Sequence, residues 1–332
     1  MKSVLLFSSK YLGYLVPPTI LVGLAAGYYA DTSPLGRFIL PMVILMIYPS
    51  MIGLQYEELA RVREVKLIVL AFMINFVLIP LMAYGLGIMA LASVPGMFAG
   101  LAVVSLLPTS AMTVTYTVLA EGNVEASVKI TMASLVFGTF LAPWYLYAMI
   151  GQFISFDIIV MIKTLAGIIL LPLMMGWVTF RMIMKRYTKE AFATRIKPFL
   201  PGISAWGAIF IIFTSISMKA RSIFESPEMI SLSLGLLVLF YLFNYALAIG
   251  AVRFFGLSRE DGYTLVYCSA LRNIAIAIGI SATVFDSHAV FMISLAFLIQ
   301  PVAASWFYRI SRRFRLLCVR NRDVSGNNRI LK

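Results

Sequence analysis

The sequence predicts an all-α, polytopic membrane protein of ten transmembrane helices in two five-helix halves. Three observations carry this expectation. Apolar residues make up 61% of the chain and charged residues 12%, against about 45–50% and about 25% in globular proteins. Mean hydropathy is +0.94. The apolar residues are gathered into runs long enough to cross about 30 Å of hydrocarbon. These runs do not alternate with the period of two that a membrane barrel requires, so helices must satisfy the backbone internally. Interruptions also recur at matching places in the two halves. Two cysteines, Cys268 and Cys318, cannot form the framework of a disulfide-rich secreted domain.

The expected spans are 11–30, 37–55, 67–91, 96–120, 124–149, 158–180, 199–218, 229–252, 262–285 and 289–308. Lys2 and Lys10 flank a short apolar stretch that lacks the pattern of a cleavable signal. The run from Tyr11 to Ala30 reads as a retained first helix. Helix 1 carries Pro17 and Pro18 with Gly23, and helix 6 carries Pro172 with Gly176. Pro108-Thr109-Ser110-Ala111 lies in the middle of helix 4, and Cys268 to Asn273 in the middle of helix 9. Helices 3 and 8 carry Asn75-Phe76-Val77-Leu78 and Asn244-Tyr245-Ala246-Leu247.

Basic residues set the orientation. With both termini in the cytoplasm, 21 of the 27 Lys and Arg fall on that side. They comprise Lys2, Lys10, the loops after helices 2, 6 and 8, and a tail from Arg309 to Lys332. Only Arg37, Lys219 and Arg221 fall outside. The net charge of +13 is therefore a matter of topology and anionic lipid, and nucleic acid is not an expected partner. An odd number of helices per half makes the second half inverted. The expected units are a first repeat over 1–155, an inverted second repeat over 156–310, and a basic cytoplasmic tail over 311–332. Paired interruptions in corresponding helices point to a transporter binding site.

All fourteen acidic residues lie in loops or near helix ends. No buried carboxylate is offered for a proton relay, and no His-Glu-x-x-His marks a metalloprotease. An enzyme is not expected, nor a metal or resident cofactor. Arg272 is the exception, about ten residues from either end of helix 9. A lone arginine at that depth costs at least about 2.5–3.5 kcal/mol. Three readings stay open: satisfaction by broken-helix carbonyls, a binding charge for an anionic substrate, and snorkelling. Lys129 and Lys163 sit near span ends and read as snorkelling.

Thr109, Ser110, Thr113, Thr115 and Thr117 follow Pro108, whose missing N–H frees a carbonyl. They either repair that break or face a substrate, and helix-start amides there favour an anion. Ser127 and Thr131 share one face of helix 5 and either bond across helices or line the site. Asn75, Asn244 and Gln300 read as packing or site-lining groups. Cys268 is either a buried small residue or a thiol for a soft solute. Ser269 and Asn273 complete the helix 9 interruption.

Several of these segments resemble the superfamily of bile acid:sodium symporters and arsenite-efflux permeases. Met46-Ile47-Tyr48-Pro49 and Tyr56-Glu57-Glu58-Leu59 are similar to the permeases. The stretch from Pro108 to Thr131, with Leu119-Ala120-Glu121-Gly122-Asn123, is similar to both branches. Gly256-Leu257-Ser258-Arg259-Glu260-Asp261 also looks like the family. The resemblance implies a panel and a core domain, with helices 4 and 9 broken and crossing, and alternating access around the crossing.

Departures refine the expectation. The symporters place a Ser-Asn pair where this chain has Thr113 and Val114. Ser127 and Thr131 match the family's helix 5 ion ligands. Cys268 and Arg272 stand where the symporters have a glutamate and a glutamine. Sodium coupling is thereby doubtful, and Na+ or H+ remains the candidate coupling ion. The guanidinium of Arg272 would take the role of a bound cation, holding the crossing or pairing with an anion. Arsenite permeases use a cysteine and a glutamate where Thr109 and Asn273 stand here.

The expected function is a secondary transporter of a small organic anion or oxyanion in the cell (plasma or inner) membrane. Arg272, Asn273, Thr109, Ser110, Thr113, Cys268, Ser269, Asn75 and Asn244 are the substrate candidates. Thr113, Ser127 and Thr131 are the ion candidates. The expected partners are that anionic substrate and the lipid, with no obligate protein partner. Arsenite efflux, a sodium-coupled bile-acid-type symporter and a non-transporting receptor are the alternatives.

Overall fold

The computed structural model describes residues 12–52, 64–154, 158–218, 220–225, 228–314 and 316–317. Among these residues regular structure is helical, with one isolated antiparallel bridge between Pro108 and Arg272. Helix α1 spans Leu12–Tyr29. Helix α2 spans Ile39–Met51, entered through a 3-10 turn at Ser33–Phe38. Helix α3 spans Val65–Leu91, with a π segment at Ile74–Leu78.

The fourth expected span is two helices, α4a Pro95–Leu106 and α4b Ala111–Leu119. Then come α5 Val124–Ile150, α6 Ile158–Met184, α7 Leu200–Ser217 and α8 Glu228–Phe254. The ninth span is likewise divided, into α9a Arg259–Ala270 and α9b Ile274–Val284, before α10 Ser287–Phe314. Short helices at Lys189–Arg195 and Ala220–Glu225 lie in the connections.

Six helical stretches are long and apolar enough to cross a bilayer: Val65–Leu91, Val124–Ile150, Met161–Met184, Glu190–Ser217, Glu228–Phe254 and Ser287–Phe314. Their outer faces carry large exposed apolar side chains such as Trp144, Met174, Leu242 and Trp306. That surface suits lipid rather than water. The chain is a polytopic membrane protein.

Packing follows two groups. Helix α7 lies on α1 and α2, and α2 on α6, while α3 to α5 pack with α8 to α10 around the two breaks. Glycine permits the closest approaches. A Cβ on Gly207 of α7 would stand 2.8 Å from the Cβ of Met46 in α2, and one on Gly100 of α4a 2.7 Å from the carbonyl oxygen of Ala289 in α10. Small residues at such contacts are how apolar helices associate in lipid.

The breaks have separate causes. Pro108 has no N–H to give and forces the preceding Leu107 out of the helical region, to φ −109°, ψ 75°. Helix α9 has no proline at its break. There the extended Leu271, at φ −84°, ψ 125°, is held by partners described below.

Lys129 does not snorkel. It is 2% exposed, with its ammonium 2.7 Å from Glu125 and 3.1 Å from Glu64. Glu125 lies one turn before it, and Glu64 precedes α3, so carboxylates reach the lysine inside the bundle. Lys163 is exposed. Lys2, Lys10, the Tyr56 to Leu59 motif, Arg61, Arg63, Lys219, Arg315 and the tail from 318 to 332 lie outside the described residues.

Candidate functional site

The two breaks meet backbone to backbone. The Thr109 N–H donates to the Leu271 carbonyl at 2.9 Å, and the Asn273 N–H donates to the Leu107 carbonyl at 2.8 Å. Each break thus supplies the partner that the other lacks, which low-dielectric surroundings require. The peptide groups of Arg272 itself go to Gln300 of α10. Its Oε1 accepts from the Arg272 N–H at 2.7 Å, and its Nε2 donates to the Arg272 carbonyl at 3.1 Å. Tyr241 of α8 donates to the same Oε1 at 2.9 Å. Gln300 therefore acts as a strand-like neighbour for one residue.

Arg272 is 0% exposed, the largest of the fully buried side chains. Its Nη2 donates to the Ser269 carbonyl at 2.7 Å and its Nη1 to the Ser105 carbonyl at 3.4 Å. Its Nε has no hydrogen-bond partner among the described residues. Ser269 is in the last turn of α9a and Ser105 in the last turn of α4a. The guanidinium thus bridges the carbonyl ends of both half-helices, where helix dipoles favour a cation. No described carboxylate pairs with it.

The other halves begin at the same place. Ser110 is the N-cap of α4b, and its N–H donates to Thr113 Oγ1 at 3.0 Å. Asn273 is the N-cap of α9b, and its Oδ1 accepts from the Ile276 N–H at 3.2 Å. Two helix starts therefore converge on the crossing, opposite in polarity to the carbonyl ends that hold Arg272. Thr109 occupies φ +62°, a rare conformation for a β-branched residue. Its hydroxyl donates to its neighbour's carbonyl, that of Pro108, at 2.7 Å.

Helix α5 brings the expected ion candidates against α4b and α9a. Thr117 Oγ1 donates to Ser127 Oγ at 3.2 Å, and the Cys268 thiol donates to the same oxygen at 3.8 Å. Thr131 Oγ1 and Ser269 Oγ are buried without hydrogen-bond partners among the described residues. Thr113 is fully buried, and Thr115 is exposed on the far side of α4b. Cys268 and Ser269 are still helical, so the break begins after them.

The paired asparagines differ. Asn75 sits in the π segment of α3 and donates to the Cys268 carbonyl at 3.0 Å. Tyr145 donates to the Phe76 carbonyl at 2.7 Å beside it. Asn75 is thus tied to the α9a half-helix. Asn244 lies in regular helix, is 0% exposed, and neither amide atom has a partner among the described residues. A π segment is common at functional sites.

Two segments quoted above for their resemblance touch each other. Asn123 caps α5 by accepting from the Ala126 N–H at 3.0 Å and donates through Nδ2 to Asp261 at 3.0 Å. Thr264 donates to the Asn123 carbonyl at 3.1 Å, and Ser258 caps α9a by accepting from the Asp261 N–H at 3.1 Å. Glu121 at φ +57° and Gly256 at φ +60° make the turns that allow it.

Sequence reasoning did not assign Gln300 its role as the clamp on Arg272, or Tyr241 as the support of that clamp. A lone glutamine before a proline within an apolar span was the available signal. Among the described residues no group of three His, Cys, Asp or Glu is placed to hold a metal ion.

Comparison with known proteins agrees with this architecture. The uncharacterized protein YbaS of Bacillus subtilis is 21% identical over 310 residues, 91% of this chain and 97% of that protein. The arsenical-resistance protein Acr3 of Corynebacterium glutamicum is 22% identical over 312 residues, 85% of this chain and 82% of that one. The probable chloroplastic sodium/metabolite cotransporter BASS1 of rice is 26% identical over 215 residues, 64% of this chain and 48% of that one. The family model of the Sodium Bile acid symporter family matches residues 40–226. With that match over more than half its length, the chain belongs to the sodium bile acid symporter family, whose members are membrane transporters and not enzymes.

Proposed function

We propose that the protein is a ten-span secondary transporter that moves a small organic anion or oxyanion by alternating access, without dependence on sodium. It would do so as two inverted five-helix repeats in the cell membrane, with both termini in the cytoplasm. The observation that carries the reading is the polarity of the crossing. Two helix starts, at Ser110 and Asn273, meet beside a fully buried Arg272 that no described carboxylate neutralises. Oriented amides and a fixed cation in a low dielectric favour a negative solute. In this reading Thr109, Ser110, Thr113, Ser127, Thr131 and Asn273 line the substrate position, and Arg272 offsets the two carbonyl ends so that the amide ends set the local sign.

The test is a thermal-shift screen of the purified protein with small organic anions, arsenite and other oxyanions, each with and without sodium. A ligand that binds the folded state raises apparent stability by mass action, by about 2.7 kcal/mol at a hundredfold excess over Kd. The expected result is an anion that stabilises the wild type without sodium and fails to stabilise Arg272→Gln. A shift that requires sodium and survives in Arg272→Gln would overturn the reading in favour of a sodium symporter.

The likeness to an arsenical-resistance protein favours one second reading, arsenite efflux. Among the described residues Cys268 is the buried thiol it would use. Arsenite resistance conferred on pump-deficient cells, and abolished by Cys268→Ser, would establish it.

A further inference from the structure

We infer that the Arg272 guanidinium is the resident cation of the crossing, filling a carbonyl-lined position in which no free cation then has to bind during transport. This rests on the transporter reading and specifies how its site is charged.

The position is built from helix ends. The Ser269 carbonyl at 2.7 Å and the Ser105 carbonyl at 3.4 Å belong to the final turns of α9a and α4a. Each helix C-terminus carries the equivalent of about half a negative charge, so the two together present about one. One guanidinium balances that. Carbonyls freed at the ends of broken helices are the groups that bind small cations in secondary transporters. Here a covalently attached group occupies them.

The side chain is not a mobile occupant. Its own peptide is fastened on both sides by Gln300, at 2.7 and 3.1 Å. The flanking Leu271 and Asn273 are bonded to the α4 break at 2.9 and 2.8 Å. At 0% exposure the guanidinium has no path to the surface in this conformation. Among the described residues no carboxylate pairs with it: Glu64 and Glu125 meet Lys129, Asp261 accepts from Asn123 and Asp286 meets His288. The charge that Arg272 answers is thus the backbone's own.

The experiment uses the purified full chain without substrate, so it does not depend on which solute is carried. Melting temperatures are compared in sodium, potassium and choline salts at equal ionic strength, for the wild type and Arg272→Ala. The wild type is expected to show no saturable preference for sodium. Arg272→Ala is expected to melt several degrees lower. Low concentrations of guanidinium or methylguanidinium should restore it saturably and should not raise the wild type, with urea as the control for solvent effects.

Should Arg272→Ala not fold, Arg272→Lys and Arg272→Met decide. The lysine, which keeps a cation, is expected to retain clearly more stability than the methionine, which keeps the bulk. The inference is overturned by saturable, sodium-specific stabilisation of the wild type. It is equally overturned by an alanine variant that melts like the wild type or that no small cation restores, or by lysine and methionine variants of equal stability. Failure here leaves anion transport standing, whereas a screen in which no anion binds would refute the transporter's substrate class and leave this result untouched.

Discussion

Replacing Gln300 with methionine removes the clamp on Arg272 while keeping the side chain's length and bulk. Three buried groups then lose a partner: the Arg272 N–H, the Arg272 carbonyl and the Tyr241 hydroxyl, now bonded at 2.7, 3.1 and 2.9 Å. A buried polar group left unpaired costs about 1–3 kcal/mol, and interhelical hydrogen bonds in membranes are worth about 0.6–1.7 kcal/mol. The Arg272 carbonyl keeps one donor, the Ile274 N–H at 3.0 Å, which lowers its share. Gln300→Met is therefore expected to cost about 3 kcal/mol, and Tyr241→Phe, which removes one bond of the three, about 1 kcal/mol.

The assay is unfolding of each purified variant and of the double variant under identical detergent conditions. Because Tyr241 acts through Gln300, the losses should not add, and the double variant should be little worse than Gln300→Met alone. The reasoning is refuted if Gln300→Met costs no more than Tyr241→Phe, or if the two losses are additive.

Three further outcomes are expected. Lys129→Met removes the ammonium that Glu64 and Glu125 share. Removing one partner of a fully buried pair costs about 3–5 kcal/mol, but the carboxylates are 20% and 62% exposed. A loss of about 1–2 kcal/mol is expected, partly restored by Glu64→Gln, and thermal unfolding of the single and double variants checks it. Thr109→Gly removes a β-branched residue from φ +62°, so relief of about 1–3 kcal/mol of strain offsets glycine's entropic cost of about 0.5–1 kcal/mol. That variant should be at least as stable as the wild type, and a measured loss above about 2 kcal/mol would contradict the strain argument.

Asp286 lies between α9b and α10. Burial pushes its carboxyl up, but the hydrogen bonds from His288 and the Ala289 amide outweigh it and hold the group below its ordinary value. A depressed carboxylate contributes stability above its unfolded pKa of about 3.9 and loses it as pH falls through the lower folded value. Below about pH 4 the wild type should lose this increment. Asp286→Asn should be less stable than the wild type at neutral pH and show a flatter acid limb.

Much of the architecture was legible in the chain. A run of twenty apolar residues has few ways to satisfy its backbone in lipid, so hydropathy alone located the helices to within a few residues. Pro108 marked one break for a local reason, the missing N–H and the push on Leu107. Positions 268–273 marked the other only through their polarity, and the actual break occupies the second half of that stretch, after Ala270. The lone mid-span arginine stood out because its cost at that depth demands an explanation.

What one-dimensional reading could not supply was the partner of each polar group. Gln300 lies 28 residues from Arg272 in sequence, and Glu64 lies 65 from Lys129. Asn75 and Asn244 look equivalent in sequence, yet one bonds Cys268 across a π segment and the other has no described partner. By itself the sequence determined that apolar helices would form, where proline would stop one of them, and that a buried cation needed compensation. Only the tertiary structure decided that helix-end carbonyls provide this compensation. Hydrophobic burial is nearly non-directional and can be read from composition, whereas a hydrogen bond needs an atom within about 3 Å, and only the fold brings that atom there.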